Sequence, residues 1–170
     1  MIDLAEIAST IESTPTVLRS LLAPFDDDAL NARPEPGEWC VREVIGHLIA
    51  TDTAAFADRI AAILAGDPDI GSFDPWAAIN ARDFTDGPLD DLLAEFEAVR
   101  TRSVQFVRSL SDSDLTATAR YGANGDFAAA DFVHEWPYHD QEHLRQILAN
   151  LQGRYMPHLT DTMRRALIGE

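Results

Sequence analysis

Two histidines four residues apart, His139 and His143, are the first feature of this chain that could do chemistry. On an α-helix that spacing stacks both imidazoles on one face. Trp136, Ile147 and Leu151 share the same face, so two consecutive positions of an apolar stripe are imidazoles. A buried polar group without a partner costs about 1–3 kcal/mol, so something must satisfy those nitrogens. A third histidine, His47, lies between Val44 and Thr51 on the inward edge of another amphipathic stretch. Three imidazoles from two facing helices can bind a divalent cation and keep a coordination position open for water or substrate. Spacing alone favours a plainer arrangement, with the pair on a solvated face and His47 bonded to a carbonyl; the coincidence of the pair with the apolar stripe is what speaks for a metal.

The elements that must position these residues are read from apolar periodicity. Four long stretches carry it, at about 4–22, 41–64, 89–110 and 127–151, and strand-like alternation is nearly missing. In the first, Pro15 predicts either a kink or a second helical piece capped by Thr14. In the second, Cys40 takes the place of a capping hydroxyl, with Glu43 three residues on as in a capping box. The third follows Asp86-Gly87-Pro88, and Leu89, Leu92, Phe96, Val99, Ser103, Phe106 and Leu110 form a heptad-like seam suited to an antiparallel bundle. Pro137 marks a kink or a restart in the fourth, and a short helix at about 158–168 closes the chain. The connections at about 65–85 and 111–126 are long for a bundle and so are candidates to cover a pocket. The fold class is all-α: a four-helix bundle with long inter-helix connections and a short C-terminal helix, as one domain over residues 1–170.

Composition narrows the chemistry. The 170 residues hold 13 Arg, no Lys, and 29 Asp plus Glu, for a net charge of −16. Such a field repels phosphate backbones, so nucleic-acid partners are not expected. Without Lys there is no Schiff-base chemistry and no phosphate loop of the kind that needs one. The lone Cys40 excludes an intrachain disulfide and a multi-Cys zinc site. No signal-peptide pattern and no apolar run long enough to cross a bilayer is present, so a cytoplasmic protein without membrane partners is expected. Of the remaining candidates, Glu135 is weighed as a fourth ligand but reads better as a solvated helix residue. Asp52 and Asp140 read as surface charges, Trp39 and Trp136 as core or pocket wall, and His134 and His158 fall off the stripe.

Two segments carry a family resemblance. Pro36-Gly37-Glu38-Trp39-Cys40-Val41-Arg42-Glu43-Val44-Ile45-Gly46-His47-Leu48 resembles the second-helix motif of the DinB/YfiT-like superfamily: a Trp, a capping hydroxyl, a Glu, then His-Leu. His139-Asp140-Gln141-Glu142-His143-Leu144-Arg145-Gln146-Ile147 resembles its fourth-helix His-x-x-x-His motif with the trailing Gln-Ile. Cys40 in place of the hydroxyl is the one visible departure. The resemblance implies a DinB-like bundle, usually a homodimer, with His47, His139 and His143 as metal ligands. It also implies an activity class: thiol-dependent transferases and isomerases, or metal-dependent hydrolases.

The expected function is therefore activation of a water or a low-molecular-weight thiol against a small-molecule substrate. A cation with three neutral imidazole ligands keeps its full charge and can bring a bound water's pKa to about 7. Zinc is the expected ion, with nickel, iron or manganese as the other candidates, because imidazole discriminates weakly. All three imidazoles must be unprotonated, so affinity is expected to fall below about pH 6. The competing expectation is a non-catalytic bundle that captures a small molecule or supports a regulatory dimer.

Overall fold

The computed structural model describes residues 3–168, so the outermost two residues at each end of the expected domain lie outside it. Four long rods make the bundle. The first is α1 (Leu4–Leu22), capped by Asp3, whose carboxylate accepts from the Glu6 N–H at 2.7 Å. The short α2 (Asp27–Asn31) follows. The second rod is α3 (Val41–Thr51), continued by a π-helical stretch at Asp52–Ala57 and by α4 (Asp58–Ala65). Next come α5 (Pro75–Asn80) and the third rod, α6 (Leu89–Ser109). A small hairpin of β1 (Thr118–Arg120) and β2 (Asp126–Ala128) precedes the fourth rod, α7 (Ala129–Gly153), and α8 (Asp161–Ile168) ends the chain. In the bundle α1 packs against α6 and α7, and α3 packs against the same two.

Both internal prolines sit in unbroken helices. Pro15 does not start a second piece: α1 runs through it. Lacking an N–H, Pro15 leaves the carbonyl of Ile11, one turn back, without its intrahelical donor. That carbonyl accepts instead from Arg100 Nη1 at 2.7 Å. Pro137 likewise lies inside continuous α7. The Glu43 carboxylate accepts from the Cys40 N–H at 2.9 Å, so the acid half of the expected capping box forms.

Buried apolar side chains fall into two clusters stacked along the bundle. One holds Leu18, Leu48, Phe96 and Ile147; the other holds Ile11, Ala55, Val104 and Trp136. Between those positions each rod contributes polar residues: Thr14 from α1, His47, Thr51 and Asp52 from the second rod, Arg100 and Ser103 from α6, and Asp140 from α7. A polar layer thus crosses the middle of the bundle, and the histidines lie at its edge.

The first long connection covers the α3 side of that layer. Phe84 lies flat against the α3 backbone at Gly46, where a Cβ would stand 2.6 Å from the ring. Trp76, half exposed on α5, packs on Trp39 with ring centroids 4.9 Å apart. The second connection forms the hairpin, which ties back to the first through Ile70 N–H to Arg120 carbonyl (2.9 Å) and Arg120 N–H to Pro68 carbonyl (3.1 Å).

Candidate metal centre

The three histidines come together. Nε2 of His47, on α3, lies 3.1 Å from Nε2 of His139, on α7, which in turn lies 3.2 Å from Nε2 of His143. These are the one group of three or more metal-capable side chains found among the described residues. Two imidazole nitrogens can meet at such distances by sharing a proton. His139 Nε2 meets two at once, however, and a ring nitrogen has only one in-plane lone pair or one N–H. Convergence of three such atoms on one point is what a cation accounts for.

The two separations at His139 suit a divalent ion. Imidazole nitrogens bound at 2.0–2.1 Å and separated by these distances subtend about 100°, between the roughly 90° of an octahedral face and the 109° of a tetrahedral one. Gln146 fixes one tautomer: its side-chain oxygen lies 2.8 Å from His143 Nδ1. An amide oxygen only accepts, so the proton sits on Nδ1 and the Nε2 lone pair of His143 is turned to the cluster. His47 and His139 have buried Nδ1 atoms with no protein partner.

Electrostatics keeps the donors free. Burial lowers the pKa of His47 to about 3, with the neighbouring His143 adding to the effect. Burial does the same for His139, to about 3, and the charges of His143, His47 and Arg100 push the same way. His143 is also lowered by burial, opposed by its bond to Gln146 and by the Asp140 carboxylate. All three rings are neutral at physiological pH, as metal ligands must be.

Aromatic groups pack around the rings. Trp39 lies 4.8 Å from His47, Phe73 6.4 Å from His47 and Phe56 5.2 Å from His139, centroid to centroid. Trp136 stacks on Phe56 at 4.9 Å and donates from Nε1 to Asp52 at 3.0 Å. Trp39 therefore walls the site, and Trp136 belongs to the core beneath it.

Two readings from the sequence need correction. Asp52 and Asp140 are not surface charges: they are 1% and 2% exposed and flank Arg100, itself 1% exposed. Burial raises the Asp52 pKa, and the Arg100 guanidinium opposes that rise. Burial disfavours the Arg100 charge, but the Asp140 and Asp52 carboxylates outweigh it and hold the group protonated. Sequence reasoning missed Arg100 because an Arg is almost never fully buried unless paired, and its partners lie 48 and 40 residues away. The residues set aside stay aside: Glu135 and His134 are exposed on α7, and Cys40 is buried with its thiol pKa raised by burial.

A helical bundle whose second and fourth rods converge three neutral imidazoles defines a class of proteins with a divalent-metal centre. The family model of the DinB superfamily matches residues 10–147, which include all three histidines. The chain belongs to the DinB superfamily. Among similar proteins, one from Oceanobacillus iheyensis, named "Putative metal-dependent hydrolase", is 26% identical over 144 residues, 84% of this chain and 82% of that one. A relative of the same designation from Bacillus licheniformis is 26% identical over 82% of this chain and 80% of its own. The solved structure of YfiT from Bacillus subtilis, described as a probable metal-dependent hydrolase with an unusual four-helix bundle topology, superposes with a TM-score of 0.77. It covers 91% of this chain and 87% of its own at 18% identity, a likeness of fold.

Proposed function

We propose that this protein is a metal-dependent hydrolase of a small molecule, with His47, His139 and His143 holding one divalent ion, zinc first among the candidates. The observation that carries the reading is the meeting of the Nε2 atoms of three neutral imidazoles from two helices. The names of the relatives support hydrolysis over the other chemistries the sequence admits. A bound divalent ion supplies Lewis acidity there, enough to make a water nucleophilic near pH 7 or to hold a low-molecular-weight thiol as thiolate.

The protein's own groups do the rest. Three neutral ligands leave the ion's charge uncancelled, and Gln146 orients His143. His139 and His143 are only partly buried, so approach to the cluster is from their side, while His47 is closed off beneath Trp39 and Phe73. The exposed face of Trp76 stacked on Trp39 offers an apolar surface on the His47 side of the cluster, suited to a substrate with a hydrophobic portion. Asp52 and Asp140 are committed to Arg100, so neither serves as a general base. No helix among the described residues is long and apolar enough to cross a membrane.

The test is turnover of a panel of small esters, amides and thiol adducts by metal-loaded protein, with and without added thiol. Metal-dependent hydrolysis without thiol supports the proposal. Turnover only with thiol moves the activity to thiol transfer, and stoichiometric metal with no turnover favours the non-catalytic bundle. The expected assembly is a homodimer, which a monomeric mass in light scattering at micromolar concentration would rule out.

A further inference from the structure

The least expected group in the core is the guanidinium of Arg100. All five of its N–H donors are used. Nε and Nη2 donate to the two oxygens of Asp52, each at 2.8 Å. Nη2 also donates to Asp140 Oδ1 at 2.9 Å, and Nη1 donates to Asp140 Oδ2 and, at 2.7 Å, to the Ile11 carbonyl. The acceptors are tied down in turn. Asp52 accepts from Trp136 Nε1 at 3.0 Å and Ser103 Oγ at 3.1 Å, and Asp140 accepts from Thr14 Oγ1 at 2.6 Å.

The placement of the two carboxylates gives the network its meaning. Asp52 directly follows α3, the helix that carries His47, and begins the π-helical stretch. Asp140 sits in α7 between His139 and His143. One rigid, planar fork on α6 therefore joins the two ligand-bearing helices. A trio of apolar side chains of the same volume would hold those helices together at least as firmly. What the ionic network adds is direction and fixed length, so it sets how far α3 stands from α7 and at what rotation. The π-helical turn that starts at Asp52 fits this, since π-bulges recur where a helix is re-aimed at a functional site.

We propose that Arg100 is a positioning residue for the metal centre: through Asp52 and Asp140 it sets the placement of His47 relative to His139 and His143, so that three nitrogens face one ion. This rests on the metal reading given above. Pro15 serves the same end, because its missing N–H frees the Ile11 carbonyl for Arg100.

The experiment is titration of untagged protein with Ni²⁺ by calorimetry, together with the visible absorption of the Co²⁺ form. Asp52→Asn keeps the side-chain shape but presents an amide to Arg100. It is expected to weaken Ni²⁺ binding at least tenfold and to alter the Co²⁺ bands while circular dichroism shows a folded bundle. In a His47→Ala background only the α7 pair binds, so the same substitution should then change affinity less than twofold. An equal loss in both backgrounds, or no loss in either, overturns the proposal. Pro15→Ala covers the case in which Asp52→Asn does not fold: it returns an N–H to Ile11 and touches neither carboxylate. It should raise thermal stability yet weaken Ni²⁺ binding severalfold, and unchanged affinity there overturns the proposal. Wild-type protein that binds no Ni²⁺ sinks the metal reading itself, and this one with it.

Discussion

His47 Nε2 and His139 Nε2 lie 3.1 Å apart although 92 positions separate the two residues in the chain. Both rings are neutral, since burial holds both pKa values near 3. Two neutral imidazoles with a third beside them form a donor set, and the rest of the polar layer keeps that set in place.

Gln146 should matter to metal binding without touching the metal. It fixes the tautomer of His143 through a 2.8 Å contact at Nδ1. Groups that orient metal-bound histidines typically change affinity 10–100-fold when removed. Gln146→Leu is therefore expected to weaken Zn²⁺ binding by about that factor while leaving the melting temperature of the metal-free protein within a few degrees. Competition with a chromophoric chelator measures the first and thermal unfolding the second. Unchanged affinity would show that His143 is held by packing alone.

The pH dependence follows from the lowered histidine values. In the unfolded chain His47 and His139 titrate near 6.5, and in the folded protein near 3. Between those values the unfolded state binds more protons, so stability rises with pH across the window and levels off above it. Each of the two contributes up to about 1.4 kcal/mol per pH unit. Asp52, whose pKa is raised in the fold, works in the opposite sense above its unfolded value. Denaturant unfolding of metal-free protein between pH 5 and 7 should show falling stability toward acid, and His139→Gln should flatten the slope. The same burial means protons compete for the folded site at lower pH than free imidazoles would allow. Metal release should thus fall well below the pH 6 expected from unperturbed histidines, which dialysis at graded pH would test.

Gly46, one residue before His47, gives a packing prediction. A Cβ there would stand 2.6 Å from the Phe84 ring, so Gly46→Ala must displace the loop that covers α3. Overpacking of this kind costs about 1–3 kcal/mol. Chemical denaturation should show that loss, and Phe84→Leu in the same chain should recover part of it. No loss would mean that the connection shifts freely.

The sequence made the frame and the α7 histidine pair legible because both follow a period. The apolar stripe and the i, i+4 pair mark α7 and its two imidazoles, and the four rods lie close to where the periodicity places them. The heptad seam on α6 was less faithful. Val99, Phe106 and Leu110 are only partly buried, whereas Arg100, Val104 and Val107 face the core. A straight helix of 3.6 residues per turn drifts off a strict 3.5 repeat, and over the length of α6 the buried line moves by a residue. Arg100 and its carboxylates were illegible for another reason: each alone has the signature of a solvated charge. Only tertiary contact across three rods reveals that they neutralise one another. The hairpin and α5 were missed because three to six residues leave too short a periodic trace.

Metal content is the most direct measurement of the central claim. Protein purified without a histidine tag, from cells grown in metal-replete medium, should carry close to one divalent ion per chain by elemental analysis. The His143→Ala variant should carry almost none while remaining a folded helical bundle. Equal metal in both, or none in the wild type after reconstitution, would contradict the three-imidazole centre on which the proposed activity stands.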